Sequence, residues 1–320
     1  MSPLGWPARA AAALRVQEPA HALALMRIGV GITILGMLAA MVWTDSVAPV
    51  WLDPVDGGLR DLAPRQWLAR ALGAPTPPVV TGLMVAAGVG SLGLTVGLGG
   101  RLSALIALQA LLALFSLHPR TGGGHDRLIT NALWLLVLAP SDRSLSLRSW
   151  LETRRWLNPT PVAGWVRWLV IGQLVLMYAG TGLQKVGAEW FPWGDYAAVQ
   201  RALLSPSWAR WDLTQAVAAL SPLIQAATAL SWLWEVSFAA LPLLLWWRAT
   251  RTRPGRLRAL ANRLDLRAWM AVFGVGLHLG LLVLMELGPF SLISMSLYPC
   301  LWSGAEWGRW LGRRAAGRTT

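Results

Sequence analysis

Lysine is nearly missing from this 320-residue chain: of its 28 basic side chains one is a lysine, Lys185, and the other 27 are arginine. Arginine stays protonated in any protein setting, whereas a desolvated lysine gives up its proton and can then act as a base. The single copy closes an apolar run, in the stretch YAGTGLQKVGAEW from Tyr178 to Trp190. Cysteine is as scarce. A lone Cys300 excludes an intramolecular disulfide and a thiolate metal cluster, and His21, His118, His125 and His278 form no closely spaced metal motif, so no metal is expected. Charge is thin as well. Only 13% of residues are charged against 55% hydrophobic, with a mean hydropathy of +0.48, the composition of a multi-pass membrane protein. Internal repeats and paired broken helices are lacking, which argues against a transporter. Strict polar-apolar alternation is lacking too, which excludes a membrane barrel.

What is present is a series of apolar runs separated by arginine-bearing loops. The net charge of +13 would suggest nucleic acid in a soluble protein, but arginines gathered in short loops follow the positive-inside pattern, and no nucleic-acid partner is expected. Residues 1–20 carry Arg9 and Arg15 with no cleavage-like end to a short apolar core, so the apolar run from Ala22 onward reads as a retained span and not a signal peptide. Spans are expected at about Ala22 to Thr44, Pro78 to Leu98, Leu102 to His118, Leu128 to Pro140, Gly164 to Lys185, Ala226 to Trp247, Ala268 to Gly288 and Pro289 to Ser303. The fourth run is too short to cross a core of about 30 Å unless its helix begins in the preceding glycine loop or enters from a protein-lined cavity. An interfacial helix is expected near Leu62 to Leu72. The loop from Arg248 to Arg267 holds seven arginines and fixes orientation most firmly. With both termini inside, 18 basic residues fall in inner segments and 7 in outer ones. The fold class is therefore all-α, a polytopic bundle of about eight spans with cytoplasmic termini, divided as 1–20, a transmembrane domain over 21–305 and a basic tail over 306–320.

Ionisable residues in membrane helices are costly and usually functional, which singles out a few positions. Tyr178, Thr181 and Lys185 are spaced i, i+3, i+7 and should share a helix face, with Gly180 and Gly182 clearing space beside them. Arg27 either snorkels to lipid phosphate or caps a buried acid, with snorkelling the simpler account. Arg167 should be interfacial. Glu235, about ten residues or 15 Å deep in its span, lies at a depth similar to His278 and is a candidate to pair with it. Lys185, at the outer end of its helix, could take a proton from a weakly acidic hydroxyl such as that of a hydroquinone, and His125 could stabilise the oxyanion.

Three features together resemble a known family: Arg27 on the first span, the GGGHD loop at Gly122 to Asp126, and YxxxGLxKxxxxW read from Tyr178 through Gly182, Leu183 and Lys185 to Trp190. The resemblance is to the membrane domain shared by vitamin K-dependent gamma-glutamyl carboxylase and its bacterial relatives, the horizontally transferred transmembrane domain, over about residues 20 to 305. It implies that Lys185 deprotonates a reduced quinone with support from His125, that Tyr178, Thr181 and Trp190 line the cofactor, and that O2 and CO2 are co-substrates. It also implies a lumenal or outer reaction face, which the arginine distribution supports independently. The carboxylase carries a large lumenal portion that grips its substrate, and this chain ends about fifteen residues after its last expected span. A secreted peptide or protein is thus the expected partner besides the bilayer, in a bacterial plasma membrane. The alternative is a non-catalytic membrane factor for maturation or export of a secreted peptide, with Lys185 in a structural ion pair.

Overall fold

The computed structural model describes residues 16–59, 65–118 and 122–316. The readings placed on Arg9 and Arg15, the start of the helix expected from Leu62 and the end of the basic tail fall outside those residues. Among the described residues, six helical segments are long and apolar enough to cross a membrane: His21–Trp43 (α1), Pro77–Val96 (α2), Gly100–Leu117 (α3), Trp165–Gln184, Ser221–Ala249 and Leu266–Leu284. Two expected spans are shorter. The fourth is the helix Gly124–Leu138 (α4), which does begin inside the glycine loop, and the last is an apolar segment, Phe290–Leu301. In chain order the remaining labels are α5 for Trp165–Gln184, α6 and α7 for Ser221–Ser237 and Leu241–Ala249, α8 for Leu266–Leu284, α9 for Phe290–Leu297 and α10 for Gly304–Ala316. Of the expected interfacial helix, Trp67–Leu72 is helical, started by the Gln66 side chain, which accepts from the Leu68 and Ala69 amides.

Local sequence sets these boundaries. Pro77 and Pro78 open α2, where a missing amide hydrogen costs nothing. Gly97, at φ +74°, ends it in the left-handed conformation, and a short turn through Gly99 leads into α3. Pro242 cannot donate to Phe238 four residues earlier, and the span Ser221–Ala249 tightens there into a 3-10 turn, Phe238–Ala240.

The chain divides into two units. The first comprises residues 1–170 and 288–320. In it α1 packs on α2 and α9, α2 on α3, and α3 on α4. Apolar burial offers little advantage over lipid, so close packing must hold these helices together, and small residues permit it. A Cβ on Gly90 of α2 would lie 2.7 Å from the Ala107 amide of α3. Leu108, Leu111 and Leu114 of α3 and Ile129, Leu133 and Leu136 of α4 fill the interior. Two short strands, Gln17–Pro19 (β1) and Pro161–Ala163 (β2), pair antiparallel just before α1 and α5 begin.

Two arginines of this unit overturn the sequence reading. Arg27 does not snorkel: it is fully buried, donating to the Leu94 and Thr95 carbonyls at the end of α2 and to Leu145 O at 2.8 Å. It thus satisfies the orphan carbonyls and negative dipole of a helix C-terminus. Gly97 makes room for it, since a Cβ there would stand 2.8 Å from both guanidinium nitrogens. Arg167 is likewise buried and not interfacial, with Nε 2.6 Å from Glu18 Oε1 and a second nitrogen donating to Cys300 O at 3.1 Å.

The second unit is residues 171–287. It holds most of α5 with α6, α7 and α8, and between α5 and α6 an irregular aromatic segment. Leu203, Val217 and Met285 form a small core there, beside a bridge between Ala209 and Met285.

Candidate functional site

Lys185 lies one residue beyond α5, its amide bonded to Gly182 O. Its Nζ is 2.6 Å from Glu235 Oε2 on α6 and 3.9 Å from the centre of the Trp190 ring. Both charged side chains are mostly enclosed, with 21% of Lys185 and 13% of Glu235 exposed. The lysine therefore has a carboxylate and an aromatic face as neighbours, the second a cation-π contact.

Gly182 brings the two helices close enough for this. A Cβ at that position would stand 3.0 Å from the Glu235 Cβ, the Val236 amide and the Val236 Cγ2. Gly180 has nothing within 4 Å, so of the two glycines expected to clear space only Gly182 is pressed against a neighbour. The Trp232 indole donates to Gly182 O at 3.1 Å and pins the crossing from α6.

The pairing corrects the reading of Glu235. It meets Lys185, and His278 meets Tyr178 instead, with Tyr178 Oη 2.7 Å from His278 Nε2. It also corrects the depths: a lysine at the outer surface and a glutamate about 15 Å down could not touch. The 2.6 Å contact puts Lys185 and Glu235 at one level.

Tyr178 is buried against the rings of Trp234 and Phe238, each with its centre 4.5 Å away. Thr181, one turn on, is exposed and donates its hydroxyl to Met177 O at 2.7 Å. The expected common face therefore separates into a buried Tyr178, an exposed Thr181 and a Lys185 beyond the helix end. Around Lys185 the surface is apolar: Leu183, Val186 and Trp193 are exposed, and Phe191 stacks on Trp193.

His125 belongs to the first unit, in the first turn of α4. Its Nε2 lies 3.1 Å from Asp126 Oδ1, while Asp126 Oδ2 accepts the Gly123 amide at 3.1 Å and caps the helix. A Cβ on Gly288 would sit 3.4 Å from the imidazole. Asp126, with Arg65, Arg127 and the three glycines Gly122 to Gly124, lines a cleft of 730 Å3.

Sequence reasoning missed Glu235 as the partner of Lys185 and missed Glu18 altogether. A signal for the first was available: α6 carries one acid, one lysine directly follows α5, and opposite charges in apolar segments pair.

The HTTM domain family matches residues 16–307, nearly the whole chain. No curated protein and no solved structure matches it.

Proposed function

Because the chain belongs to the HTTM family as an integral membrane protein, we propose that it is a carboxylase-like, quinol-dependent enzyme of the bacterial plasma membrane in which Lys185 is the base. The observation that carries this reading is the Lys185–Glu235 contact at 2.6 Å beside the Trp190 ring. An ammonium cannot accept a proton. Glu235 gives it a carboxylate to hand one to, and transfer from Nζ to Oε2 leaves a neutral amine free to take the next proton from a hydroquinone hydroxyl. An aromatic, lipid-soluble ring fits the place, since the neighbouring surface of Leu183, Val186 and Trp193 is apolar and exposed. When bound, a reduced quinone supplies electrons and an acidic hydroxyl, with O2 and CO2 as co-substrates. Trp190 would flank the ring, Thr181 lies one turn before the lysine, and Tyr178 supports the wall from behind. His125, in the first unit, is the second catalytic residue of this reading, its imidazole suited to stabilising developing negative charge. The modified partner is a secreted peptide or protein, and no metal takes part.

The proposed topology is eight crossings with both termini cytoplasmic. Contacts at helix ends in the first unit support the two short crossings. Arg101, at the start of α3, donates to Leu138 O at the end of α4, and Gly124 at the start of α4 faces the Phe290 ring at the start of α9. Gly304, just past Leu301, lies against Pro19 O, before α1 begins.

The test is Lys185→Arg, which keeps charge and cannot act as a base. Quinol consumption in reconstituted membranes should fall by about 10²- to 10⁴-fold. Full turnover in the variant would exclude the base role. The same ion pair favours a second reading, a non-catalytic maturation or export factor in which Lys185 and Glu235 only fasten α5 to α6. That reading expects a double Lys185→Met, Glu235→Leu variant to keep its biological activity.

A further inference from the structure

A second cleft, of 660 Å3, lies in the first unit where α2 turns into α3, and it is lined by Arg101, Arg143 and Arg148 with Asp142 as the one acid among the lining residues. Asp142 is already committed. One of its oxygens accepts the Gly100 amide at 3.1 Å, capping α3, and lies 3.1 Å from Arg148. Outside the lining, Glu152 holds Arg148 at 2.7 Å and stands 3.8 Å from Arg143. Among the described residues, Arg101 donates to a carbonyl, that of Leu138 at 3.3 Å, and has no carboxylate partner. Three guanidiniums therefore face a cleft whose single carboxylate is spoken for, and the cavity keeps a net positive charge.

The position of the cleft says what would neutralise it. Its lining includes the first turn of α3, a helix apolar enough to span, so its mouth stands at the end of a crossing, where phospholipid headgroups are. Leu102 lines it, and along the same helix Leu105 and Ile106 are exposed, offering an apolar track away from the arginines. Polar groups from Gln17 and Thr160 complete the wall. We infer that this cleft binds an anionic phospholipid, its phosphodiester held by Arg101, Arg143 and Arg148 and its acyl chains laid along the exposed leucines of α3. Basic pockets beside transmembrane helices recognise headgroups through charge-assisted, forked hydrogen bonds of this kind.

The experiment uses the full chain purified in detergent, with lipid occupancy read by native mass spectrometry. Phosphatidylglycerol should bind at least tenfold more tightly than phosphatidylcholine of the same chain length. Arg101→Gln and Arg143→Gln should each weaken phosphatidylglycerol binding about fivefold and leave phosphatidylcholine unchanged. Either variant suffices if the other is unstable, and the rise in Tm on adding phosphatidylglycerol, lost in the variants, is a second readout. Arg251→Gln with Arg256→Gln, at exposed arginines of the second unit, is the control and should bind normally. Equal binding of the two lipids, or equal loss in the control, would overturn the inference. Displacement of phosphatidylglycerol by millimolar inorganic phosphate would overturn it in favour of a free-anion site.

Discussion

Lys185 Nζ and Glu235 Oε2 approach to 2.6 Å although the two residues lie fifty positions apart and on different helices. Nothing in either helix alone would hold such a pair. The approach depends on the missing Cβ of Gly182, which allows α5 and α6 to cross at that point, and on the Trp232 indole that fixes the Gly182 carbonyl. The lysine is thus a property of a crossing, and its surroundings can be dissected by substitution.

Removing one partner should cost more than removing both. Glu235→Gln leaves an ammonium without its counter-charge and should destabilise by about 2 kcal/mol, less than the 3–5 typical of sealed pairs because both side chains retain some exposure. A double Lys185→Met, Glu235→Leu variant should lie within about 1 kcal/mol of the parent. Thermal unfolding in detergent reads both. A double variant weaker than Glu235→Gln would show that the pair is a net source of stability.

The two glycines of α5 predict opposite results. Gly182→Ala forces a methyl group against the α6 backbone and should cost about 1–3 kcal/mol. Gly180→Ala meets open space and should be neutral or stabilising by up to about 1 kcal/mol, through helix propensity. If Gly182→Ala also impairs quinol consumption while Gly180→Ala does not, the crossing is what positions the amine.

Arg27 should tolerate no replacement. Arg27→Lys keeps the charge but cannot reach carbonyls of α2 and Leu145 together, and should cost about 2–3 kcal/mol. Arg27→Leu leaves those carbonyls unanswered and should cost about as much. A snorkelling arginine would have accepted lysine at almost no cost, so a stable Arg27→Lys protein would contradict the buried placement.

Tyr178→Phe removes the hydroxyl from the 2.7 Å contact with His278 and keeps the ring contacts with Trp234, edge-on, and Phe238, tilted. The expected loss is about 1 kcal/mol. Tyr178→Ala, which also empties a buried ring site, should lose about 3–5 kcal/mol. A larger effect of Tyr178→Phe on turnover than on Tm would mark the hydroxyl as part of the chemistry.

Hydropathy made the six long helices legible, and the shortness of the run Leu128 to Pro140 called for a helix that begins in the glycine loop or enters from a protein-lined cavity, of which the structure shows the first, with α4 starting at Gly124. The angular position of a polar residue on its helix was not legible. Arg27 and Arg167 both stand near the start of an apolar run, where a chain read in one dimension cannot tell lipid phosphate from a carbonyl supplied by residue 145 or 300. Glu235 was placed by counting along its own helix, and such a count does not say where the end of a neighbouring helix meets it. Tyr178 and Thr181 satisfied helical spacing, yet threonine spent its hydroxyl on its own backbone, as it commonly does in helices.

The first crossing is built from parts made much later. Glu18 waits for Arg167 and His21 for Ser144, and Arg27, after the carbonyls at the end of α2, waits for Leu145, so more than a hundred residues must follow before the last of these contacts closes. Until then the open side of Arg27 must borrow water or a lipid headgroup. A nascent chain stopped near residue 140 should expose a cysteine at position 27 to a water-soluble maleimide. A chain extended past residue 170 should shield it. Insertion and assembly are then separate events for this protein, and the opening helix is held on loan from the solvent until the middle of the sequence arrives to claim it.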